Sequence, residues 1–355
     1  MQPIARATEP HLAVVRDPKL FVLADALAPL KTWLDASDVI EIAINRPHEV
    51  YIERIGSGLM HLTEVPDLTE DAIRHIAERV AASTRQVVNA ERPLLSATLP
   101  DGSRFQAVLP PAAPEGGAIS IRKHVIHDMS LADYERLGAF KDVIVACDGG
   151  LSDMEQQLIG HLKARRLKEF LALAVAERQS MIVSGGTSTG KTTFLNMLLK
   201  LVPPKERIVT LEDVRELKPS QPNNVVLLAS KGDQGEAQVT IQDLLEATLR
   251  MRPDRIFVGE LRSKEAFTFL RAVNTGHPGS ITTVHADTPS GAYQQLVMMG
   301  LQADLGLKAA DIEAYVRAVI PIVVQLRRTE TARFVSEIHY ARMPSAPARK
   351  ARPAA

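Results

Sequence analysis

The sequence predicts an α/β protein in which a smaller mixed α+β domain precedes a domain built around a parallel sheet. Three observations support this fold class. Stretches of alternating apolar residues dominate the first half, whereas strand-like and helix-like stretches alternate along the second half. In the stretch MIVSGGTSTGKTTF, at 181–194, a short apolar run enters a glycine-rich turn and a helical pattern leaves it.

The composition is that of an ordinary globular chain. It has 355 residues, of which 45% are hydrophobic and 24% charged, and this length suggests two or three domains. The 42 basic residues balance 42 acidic ones, so the chain has no broad basic field with which to grip nucleic acid. The single cysteine, Cys147, excludes an internal disulfide and a four-cysteine zinc site, and it fits a reducing cytosol.

Neither the start of the chain nor its most apolar late stretch has the pattern of a membrane segment. The N-terminal MQPIARATEPHLAVV lacks the apolar core of a signal peptide. The stretch AVIPIVVQL, at 318–326, has nine residues and contains a proline, whereas a spanning helix needs about 20 apolar residues. We therefore predict a cytoplasmic protein, which partner proteins can still hold at a membrane.

The first half predicts an α+β domain at 21–130, after a loose lead-in at 1–20. Apolar residues at helical spacing predict a helix over 20–35. The stretch VIEIAIN, at 39–45, alternates, with isoleucines on one face and Glu41 on the other, which predicts a half-buried strand. The same pattern returns in EVYIER, RFQAVLPP and AISIRKH, at 49–54, 104–111 and 118–124. These strands predict an antiparallel sheet.

The second half predicts a domain at 156–341, between a linker at 131–155 without clear period and a disordered Pro/Ala/Arg-rich tail at 342–355. A helix is predicted around 167–175. Strands at 180–185, 206–213, 254–261 and 279–286 then alternate with helices at 192–202 and 240–251. The alternation predicts a parallel sheet covered on both faces. Thr240 is the predicted N-cap of its helix, with Asp243 in the first turn.

The segment 185–192 matches the pattern G-x-x-x-x-G-K-[ST] and lies between a predicted strand and a predicted helix, as that pattern requires. Glycines let backbone N–H groups turn toward a phosphate, and the helix directs its positive end at the same anion. Lys191 is expected to reach the β- and γ-phosphates and Thr192 to ligate Mg²⁺. The predicted nucleotide-binding residues are Gly185, Gly186, Thr187, Ser188, Thr189, Gly190, Lys191, Thr192 and Thr193. A flexible turn that binds nothing is the alternative, which the complete motif disfavours.

Hydrolysis of a bound nucleotide requires carboxylates, and several follow predicted strands. Glu260 follows the buried-looking IFVG, and Glu212 and Asp213 end the stretch IVTLED, with Glu216 shortly after. The carboxyl ends of parallel strands face the ligand crevice. We predict that Glu260 is catalytic and that Glu212 serves the metal or the attacking water. An ordinary solvated strand end is the alternative for each of them.

Two histidines and two arginines complete the candidates. His285 ends a predicted strand at the same edge as Glu260, which favours a sensor or a phosphate contact, and His277 is a second candidate in a glycine-rich turn. No companion Cys/His spacing supports zinc. Arg104 and Arg122 begin and end strands of the first half. Composition alone favours solvated edge positions for them, and the alternative is neutralisation of γ-phosphate charge across a domain or subunit boundary.

The order of the motifs resembles the secretion ATPases of type II and type IV secretion, conjugation and type IV pili. GGTSTGKTT resembles the Walker A motif of that family, TLEDVREL its Asp box, DRIFVGEL its Walker B motif and NTGHPGSITTVHA its His box. In the first half, PLKTWLDASDVIEIAINRPHEVYIER, DGSRFQAVLPP and ISIRKH resemble the N-terminal domain of the branch that serves type IV secretion and conjugation. The resemblance covers about residues 25–340.

The resemblance implies a RecA-like C-terminal P-loop NTPase domain, a homohexameric ring, and ATP with Mg²⁺ between the two domains of one chain. It implies that Lys191 and Thr192 bind phosphate and Mg²⁺, with Glu212 helping at the metal. The residues to which it gives catalytic roles are Glu260, Glu212, His285, Arg104 and Arg122. It further implies a protein peripheral to the inner membrane, in contact with membrane-embedded and ATPase components of a secretion or conjugation machine.

The resemblance implies hydrolysis that drives pilus assembly or substrate transfer, and alternatives remain. One is a type IV pilus assembly or retraction ATPase, and another is an ATP-binding switch or scaffold with little turnover. The zero net charge and 4% aromatic content disfavour direct nucleic-acid binding. A GTPase is disfavoured because the chain lacks an Asn-Lys-x-Asp motif. The type II branch is disfavoured because one cysteine cannot build its four-cysteine zinc module.

Overall fold

The computed structural model describes residues 18–123, 135–136, 150–230, 237–304 and 306–343. The chain forms two compact units, one of Met1–Val125 with Val225–Arg252 and one of Ile126–Asn224 with Pro253–Ala355. Most of the predicted lead-in, linker and tail, together with Cys147, lies outside the described residues. Among the described residues no helix is both long enough and apolar enough to cross a membrane.

Residues 18–123 build a six-stranded sheet in which every pair of neighbouring strands is antiparallel, as predicted. The strand order is β3-β2-β1-β6-β5-β4. The elements are α1 (Pro18–Ala26), a 3-10 helix (Ala28–Leu30), α2 (Lys31–Asp35), β1 (Val39–Arg46), β2 (Glu49–Arg54), β3 (Met60–Glu64), α3 (Glu70–Ser83), β4 (Leu94–Thr98), β5 (Arg104–Val108) and β6 (Ala118–Arg122).

The helix predicted over 20–35 is instead broken into α1, the 3-10 helix and α2. Pro29 causes the break, because proline lacks an N–H donor and disfavours a helical residue before it. Trp33, on α2, packs partly buried against the core of this unit. Lys123 Nζ donates to the carbonyl oxygens of Trp33 and Ala36, at 3.2 and 2.5 Å, which ties α2 to the end of β6.

The half-buried strand predicted at 39–45 is also corrected. β1 is buried along both faces, and Glu41 is only 3% exposed. Its Oε1 accepts a hydrogen bond from Ser120 Oγ at 3.1 Å, and this bond reduces the cost of burying the carboxylate. The alternating pattern therefore predicted the strand correctly. Its prediction that the face carrying Glu41 is exposed to solvent was wrong.

The chain from residue 150 onward supplies the second sheet, in which the predicted parallel pairing is confirmed. Its order is β13-β12-β7-β11-β10-β8-β9. The elements are α4 (Asp153–Lys163), α5 (Leu167–Ala176), β7 (Met181–Ser184), α6 (Lys191–Leu199), β8 (Ile208–Glu212), β9 (Asn224–Leu228), α7 (Ile241–Thr248), β10 (Arg255–Val258), α8 (Glu265–Asn274), β11 (Ile281–Val284), α9 (Pro289–Leu301), α10 (Ala309–Val319), β12 (Ile322–Arg328) and β13 (Arg333–Tyr340).

Four neighbouring strands, β8, β10, β11 and β7, run parallel and are buried along their whole length. Such continuous burial is typical of a parallel sheet with both faces covered. β12 joins β7 in parallel, and β13 returns antiparallel beside it to form a hairpin that the sequence did not predict.

Complete capping boxes stand at the start of two of the described helices. Thr240 and Asp243 form a complete capping box at α7, so the predicted N-cap is confirmed. Ser152 and Glu155 form another at α4, which therefore begins inside the predicted linker. The sequence S-D-M-E, at 152–155, has the spacing of a capping box.

Candidate active site

The turn between β7 and α6 has the backbone of a phosphate-binding loop. Gly190 adopts φ +90° immediately before α6, a left-handed conformation that favours glycine. A Cβ on Gly185 would collide with Thr189 Oγ1, which donates to the Gly186 carbonyl at 2.9 Å. The loop can close this tightly only with glycine at that position. The N–H groups of the first turn of a helix have no partner within the helix, so the start of α6 favours an anion at this loop.

Lys191 folds its amine back toward this loop. Its Nζ donates to the carbonyl oxygens of Gly185 and Gly186, at 3.0 and 3.3 Å, and lies 3.3 Å from His285 Nε2. Burial lowers the pKa of Lys191, the nearby Glu260 carboxylate raises it, and the Arg262 guanidinium lowers it. The cation therefore lies where a bound phosphate would meet it.

Four charged or titratable side chains form a network beside the lysine. His285 Nε2 lies 2.7 Å from Glu260 Oε1. The other carboxylate oxygen, Glu260 Oε2, accepts from Arg262 Nε at 2.7 Å and lies 2.6 Å from Arg262 Nη2. Arg262 Nη1 donates to Asp213 Oδ2 at 2.5 Å. The hydrogen bond to Glu260 is the main reason why the pKa of Arg262 is raised.

The network forms because its members follow adjacent parallel strands. Asp213 comes directly after β8, Glu260 two residues after β10, and His285 directly after β11, while the phosphate loop follows β7. The carboxyl ends of parallel strands meet at one edge of the sheet. The structure thus brings together Lys191, Glu260 and His285, as the sequence predicts.

Arg262 is a residue that the sequence reasoning missed, and its backbone is held in place. The buried carboxylate of Glu265 accepts hydrogen bonds from the N–H groups of Arg262 and Ser263, at 2.7 and 2.8 Å. These two hydrogen bonds to the first residue of α8 fix the loop that carries the guanidinium. The available signal was a cation two residues after a candidate carboxylate, followed by an acidic residue at a helix start.

Glu212 lies at the end of β8 but is not a solvated strand end, because it is only 4% exposed. Its Oε1 accepts hydrogen bonds from the backbone N–H groups of Glu216 and Leu217, at 3.0 and 2.9 Å. Burial raises the pKa of Glu212, and these two hydrogen bonds oppose that shift. Its buried Oε2 has no hydrogen-bond partner among the described residues.

The loop after β8 is attached to the helix that carries Thr192. Asn196 lies one turn beyond Thr192 on α6, and therefore on the same face of the helix. Its amide donates to the Glu216 carbonyl at 3.0 Å and accepts from Lys218 N at 2.8 Å. The face of α6 that carries Thr192 therefore lies next to the loop whose backbone N–H groups donate to Glu212.

A magnesium ion would find few protein ligands here. No group of three His, Cys, Asp or Glu side chains in the described part of the chain is arranged to hold a metal ion. Mg²⁺ commonly keeps several waters and binds through one or two protein groups plus substrate phosphates. The Thr192 hydroxyl and the unpartnered Oε2 of Glu212 fit that mode of binding.

The two predicted arginines lie together, in the first unit. Arg104 on β5 and Arg122 on β6 are directly paired across the sheet. The side chain of Arg122 is 66% exposed, and its Nε lies 3.9 Å from Glu41 Oε2. The phosphate loop belongs to the second unit, so the predicted residues are divided between the two units.

His277 does not join the network. It precedes β11 by four residues and so lies at the amino end of that strand, whereas His285 follows the carboxyl end. Its Nδ1 is 2.9 Å from the Pro253 carbonyl oxygen, and burial lowers its pKa. The suggestion that His277 shares the role of His285 is therefore wrong.

Known proteins with this sequence pattern are secretion proteins. The sequence model of the family described as "Type II/IV secretion system protein" matches residues 24–346. The chain is 35% identical over 347 residues to the Type IV secretion system protein VirB11 of Bartonella henselae, an alignment that covers 93% of this chain and 96% of the relative. It is 33% identical to Protein VirB11 of Agrobacterium tumefaciens, with 91% of this chain and 94% of that protein covered.

A solved structure also resembles the whole chain. The crystal structure of the VirB11 ATPase from the Brucella suis type IV secretion system, in complex with sulphate, aligns with a TM-score of 0.84 and 34% identity. The alignment covers 91% of this chain and 95% of that one. The two folds therefore agree over most of this chain.

Proposed function

The chain belongs to the type II/IV secretion system protein family, on its type IV secretion branch, and we propose that it is the ATPase of a type IV secretion system. The observation that carries the proposal is the contact between the amine of a complete phosphate loop and the Glu260–His285 pair. A loop that only bound nucleotide would need no carboxylate and histidine at the position of the terminal phosphate.

In the proposed reaction, the N–H groups at the start of α6 and the amine of Lys191 hold the β- and γ-phosphates. For this, Lys191 exchanges the carbonyl oxygens of Gly185 and Gly186 for phosphate oxygens. In the transition state, negative charge shifts toward the β-phosphate, which leaves as part of ADP. The N–H groups and the lysine stabilise this charge. Thr192 and Glu212 would hold Mg²⁺, which supplies neutralisation of phosphate charge when it is bound.

Glu260 is the group that orients the attacking water and accepts its proton. Arg262 binds one oxygen of this carboxylate and leaves Oε1 directed at His285. Arg262 is thus a positioning residue, because it acts through Glu260. His285 lies between Lys191 and Glu260, which suits a side chain that contacts the γ-phosphate and responds to its loss.

Arg104 and Arg122 complete the site in this proposal. Their guanidinium groups would neutralise the charge of the γ-phosphate in the nucleotide-bound state, and loss of that phosphate would free the first unit to move. We further propose a homohexamer that works at the inner membrane, with membrane-embedded and ATPase components of the secretion machine as partners. The Bartonella henselae relative that shares both halves of the chain is named as a type IV secretion system protein, and this name supports the assignment.

ATP turnover per chain, measured against protein concentration, tests this function. A steep rise of turnover with concentration is the expected result for an assembly-dependent ring, with Lys191→Ala as the blank. Turnover that stays at the level of this blank, in a chain that still binds ATP, would contradict hydrolysis and favour a nucleotide-dependent switch or scaffold.

A further inference from the structure

Two buried side chains hold the backbone immediately after His285. β11 ends at Val284, and the carbonyl of Ala286, two residues later, accepts from Ser184 Oγ at 3.2 Å and from Gln325 Nε2 at 3.0 Å. Both donors are almost fully buried. The three strands are in register here, with Gln325 of β12 beside Ser184 of β7 and Ser184 beside Val284. The peptide that follows His285 is therefore fixed by the two strands next to β11.

The amide of Gln325 has one orientation that fits its surroundings. Its Nε2 also donates to the carbonyl oxygen of Leu326, at 3.2 Å, so that two acceptors face the amide nitrogen. A flipped amide would place Oε1 against two carbonyl oxygens, neither of which can donate a hydrogen bond. Gln325 is therefore oriented as a donor to the Ala286 carbonyl.

An irregularity in the β12–β13 hairpin fixes the backbone of Gln325. The register of the two strands shifts between Gln325 and Leu326, and this leaves Ser336 as an extra residue on β13. Ser336 Oγ donates to the Gln325 carbonyl at 3.2 Å. Bulges of this kind are common beside active sites, where they redirect a side chain. The hairpin thus holds Gln325 where its side chain meets the chain beyond β11.

β11 also sets the position of Glu260. Thr283 Oγ1 donates to the Gly259 carbonyl at 2.7 Å, and the Leu261 N–H donates to the Thr283 carbonyl at 3.0 Å. The residues on both sides of Glu260 are therefore tied to this strand. The distance of 2.7 Å between Glu260 Oε1 and His285 Nε2 consequently depends on how the end of β11 is held.

We propose that Gln325 is a positioning residue that acts on His285 through the Ala286 carbonyl. Its amide holds the peptide after His285, and this peptide sets where the imidazole lies relative to Lys191 and Glu260. The inference rests on the proposed function, because it takes His285 as the group that contacts the γ-phosphate and responds to its loss. A misplacement of about 1 Å at a reacting group can cost about a hundredfold in rate, so the loss of one of two donors is enough to be measured.

Turnover and nucleotide affinity of the full-length protein, with Mg²⁺ present, test the inference. Gln325→Met keeps the length of the side chain and removes its N–H donors. We expect kcat to fall about tenfold and the preference for the non-hydrolysable analogue AMP-PNP over ADP to fall about threefold. The affinity for ADP should stay within about twofold of the parent, because ADP has no γ-phosphate for His285 to contact.

A double variant separates positioning of His285 from a general effect on the structure. If Gln325 acts through His285, Gln325→Met should lower kcat and the AMP-PNP preference no further once His285→Ala is present. Independent effects would instead add, so that the double variant would lose the product of the two single losses.

Gln221→Met is the matched control. Gln221 is another buried glutamine of the same unit, and its Nε2 donates to the backbone carbonyls of Leu199 and Val202, both at 2.9 Å. The two variants are expected to lower Tm by similar amounts, because each removes hydrogen bonds to two backbone carbonyls. Only Gln325→Met should change kcat and the AMP-PNP preference. Ser184→Ala removes the other donor to the Ala286 carbonyl and should show the same pattern, which provides a second variant if Gln325→Met does not fold.

The inference is overturned if Gln325→Met and Ser184→Ala keep the parent kcat and AMP-PNP preference, or if their losses add to that of His285→Ala. It is also overturned if Gln221→Met loses as much kcat as Gln325→Met. An unchanged AMP-PNP preference in His285→Ala would contradict the role of His285 and the inference with it. Failure of the proposed hydrolysis shows differently, as parent turnover no higher than that of Lys191→Ala. In that case the AMP-PNP preference of the single and double variants still decides whether Gln325 acts through His285.

Discussion

Arg104 and Arg122 lie directly opposite each other on neighbouring antiparallel strands, so that two cations point to the same side of the sheet. Like charges in this relationship destabilise a sheet. The Oε2 atom of Glu41, a buried residue, lies 3.9 Å from Arg122 Nε. A bound anion would remove the repulsion, which is why we give this pair a part in phosphate recognition.

Replacing either arginine by alanine is expected to lower ATP turnover about a hundredfold or more, because such cations stabilise charge on the transferring phosphate. The thermal unfolding temperature should stay the same or rise, because the repulsion between the two cations is relieved. Steady-state turnover and thermal unfolding check both statements. Arg79→Ala, an exposed arginine on α3, is the matched control and should leave turnover at the parent level. Parent-level turnover in both single variants would remove the arginines from the mechanism.

Glu260→Gln is expected to reduce single-turnover phosphate release by about 10²- to 10⁴-fold while ATP binding persists. The amide keeps the shape of the side chain but cannot accept the proton of the attacking water. Phosphate release and ATP affinity are measured on the same preparation, with Glu169→Gln on α5 as the exposed control. Release at the parent rate would show that another group activates the water.

Arg262→Ala is expected to lower kcat about tenfold or more and to change KM for ATP little, because the side chain contacts Glu260 and Asp213. Arg262→Lys should restore part of kcat, since it returns the charge but not the two-point contact with Glu260. Arg271→Ala, on α8, provides the matched control. A KM that rises in proportion to the loss in kcat/KM, with kcat intact, would instead mean that Arg262 binds nucleotide in its ground state.

Glu212 predicts a pH dependence of stability. Because burial raises its pKa, the folded protein binds this proton more readily than the unfolded chain. The free energy of unfolding should therefore fall as the pH rises through the interval between the unfolded and folded pKa values of Glu212. Glu212→Gln is expected to raise Tm by about 2 °C at a pH above this interval. The difference should shrink as the solution is acidified below it.

Thermal unfolding of the ligand-free protein across a pH series measures this effect, with Glu169→Gln as the exposed control. A Tm difference of constant size over the whole series would assign the stability change to the lost shape or hydrogen bonds of Glu212. Such a result would give no evidence that the charge of Glu212 affects stability.

The sequence predicted the elements whose signals are local. The phosphate loop and its helix follow from the glycines at 185 and 190, and α7 follows from its Thr240–Asp243 capping box. α3 could have been predicted in the same way. Thr69 caps it, and Glu70 and Asp71 occupy its first turn, which are both local signals of a helix start.

Other features depend on contacts between residues far apart in the sequence, which the spacing of apolar residues does not reveal. β13 is an edge strand whose residues are mostly exposed or half-buried, so its sequence shows no regular alternation. Arg262 becomes significant only when β8 and β10 lie side by side and bring Asp213 and Glu260 to one guanidinium. The pairing of Arg104 with Arg122 likewise depends on the register of β5 against β6.

The attachment of α2 to the end of β6 gives the protein a built-in optical reporter. Trp33 is its only tryptophan, so the intrinsic indole fluorescence of the unlabelled protein comes from the first unit alone. Lys123, the residue after Arg122, donates to the backbone carbonyl of Trp33. A change in this emission when Mg-ATP is added would therefore report, in real time and without a dye, a conformational change in the first unit. That change would follow nucleotide binding at the phosphate loop of the second unit.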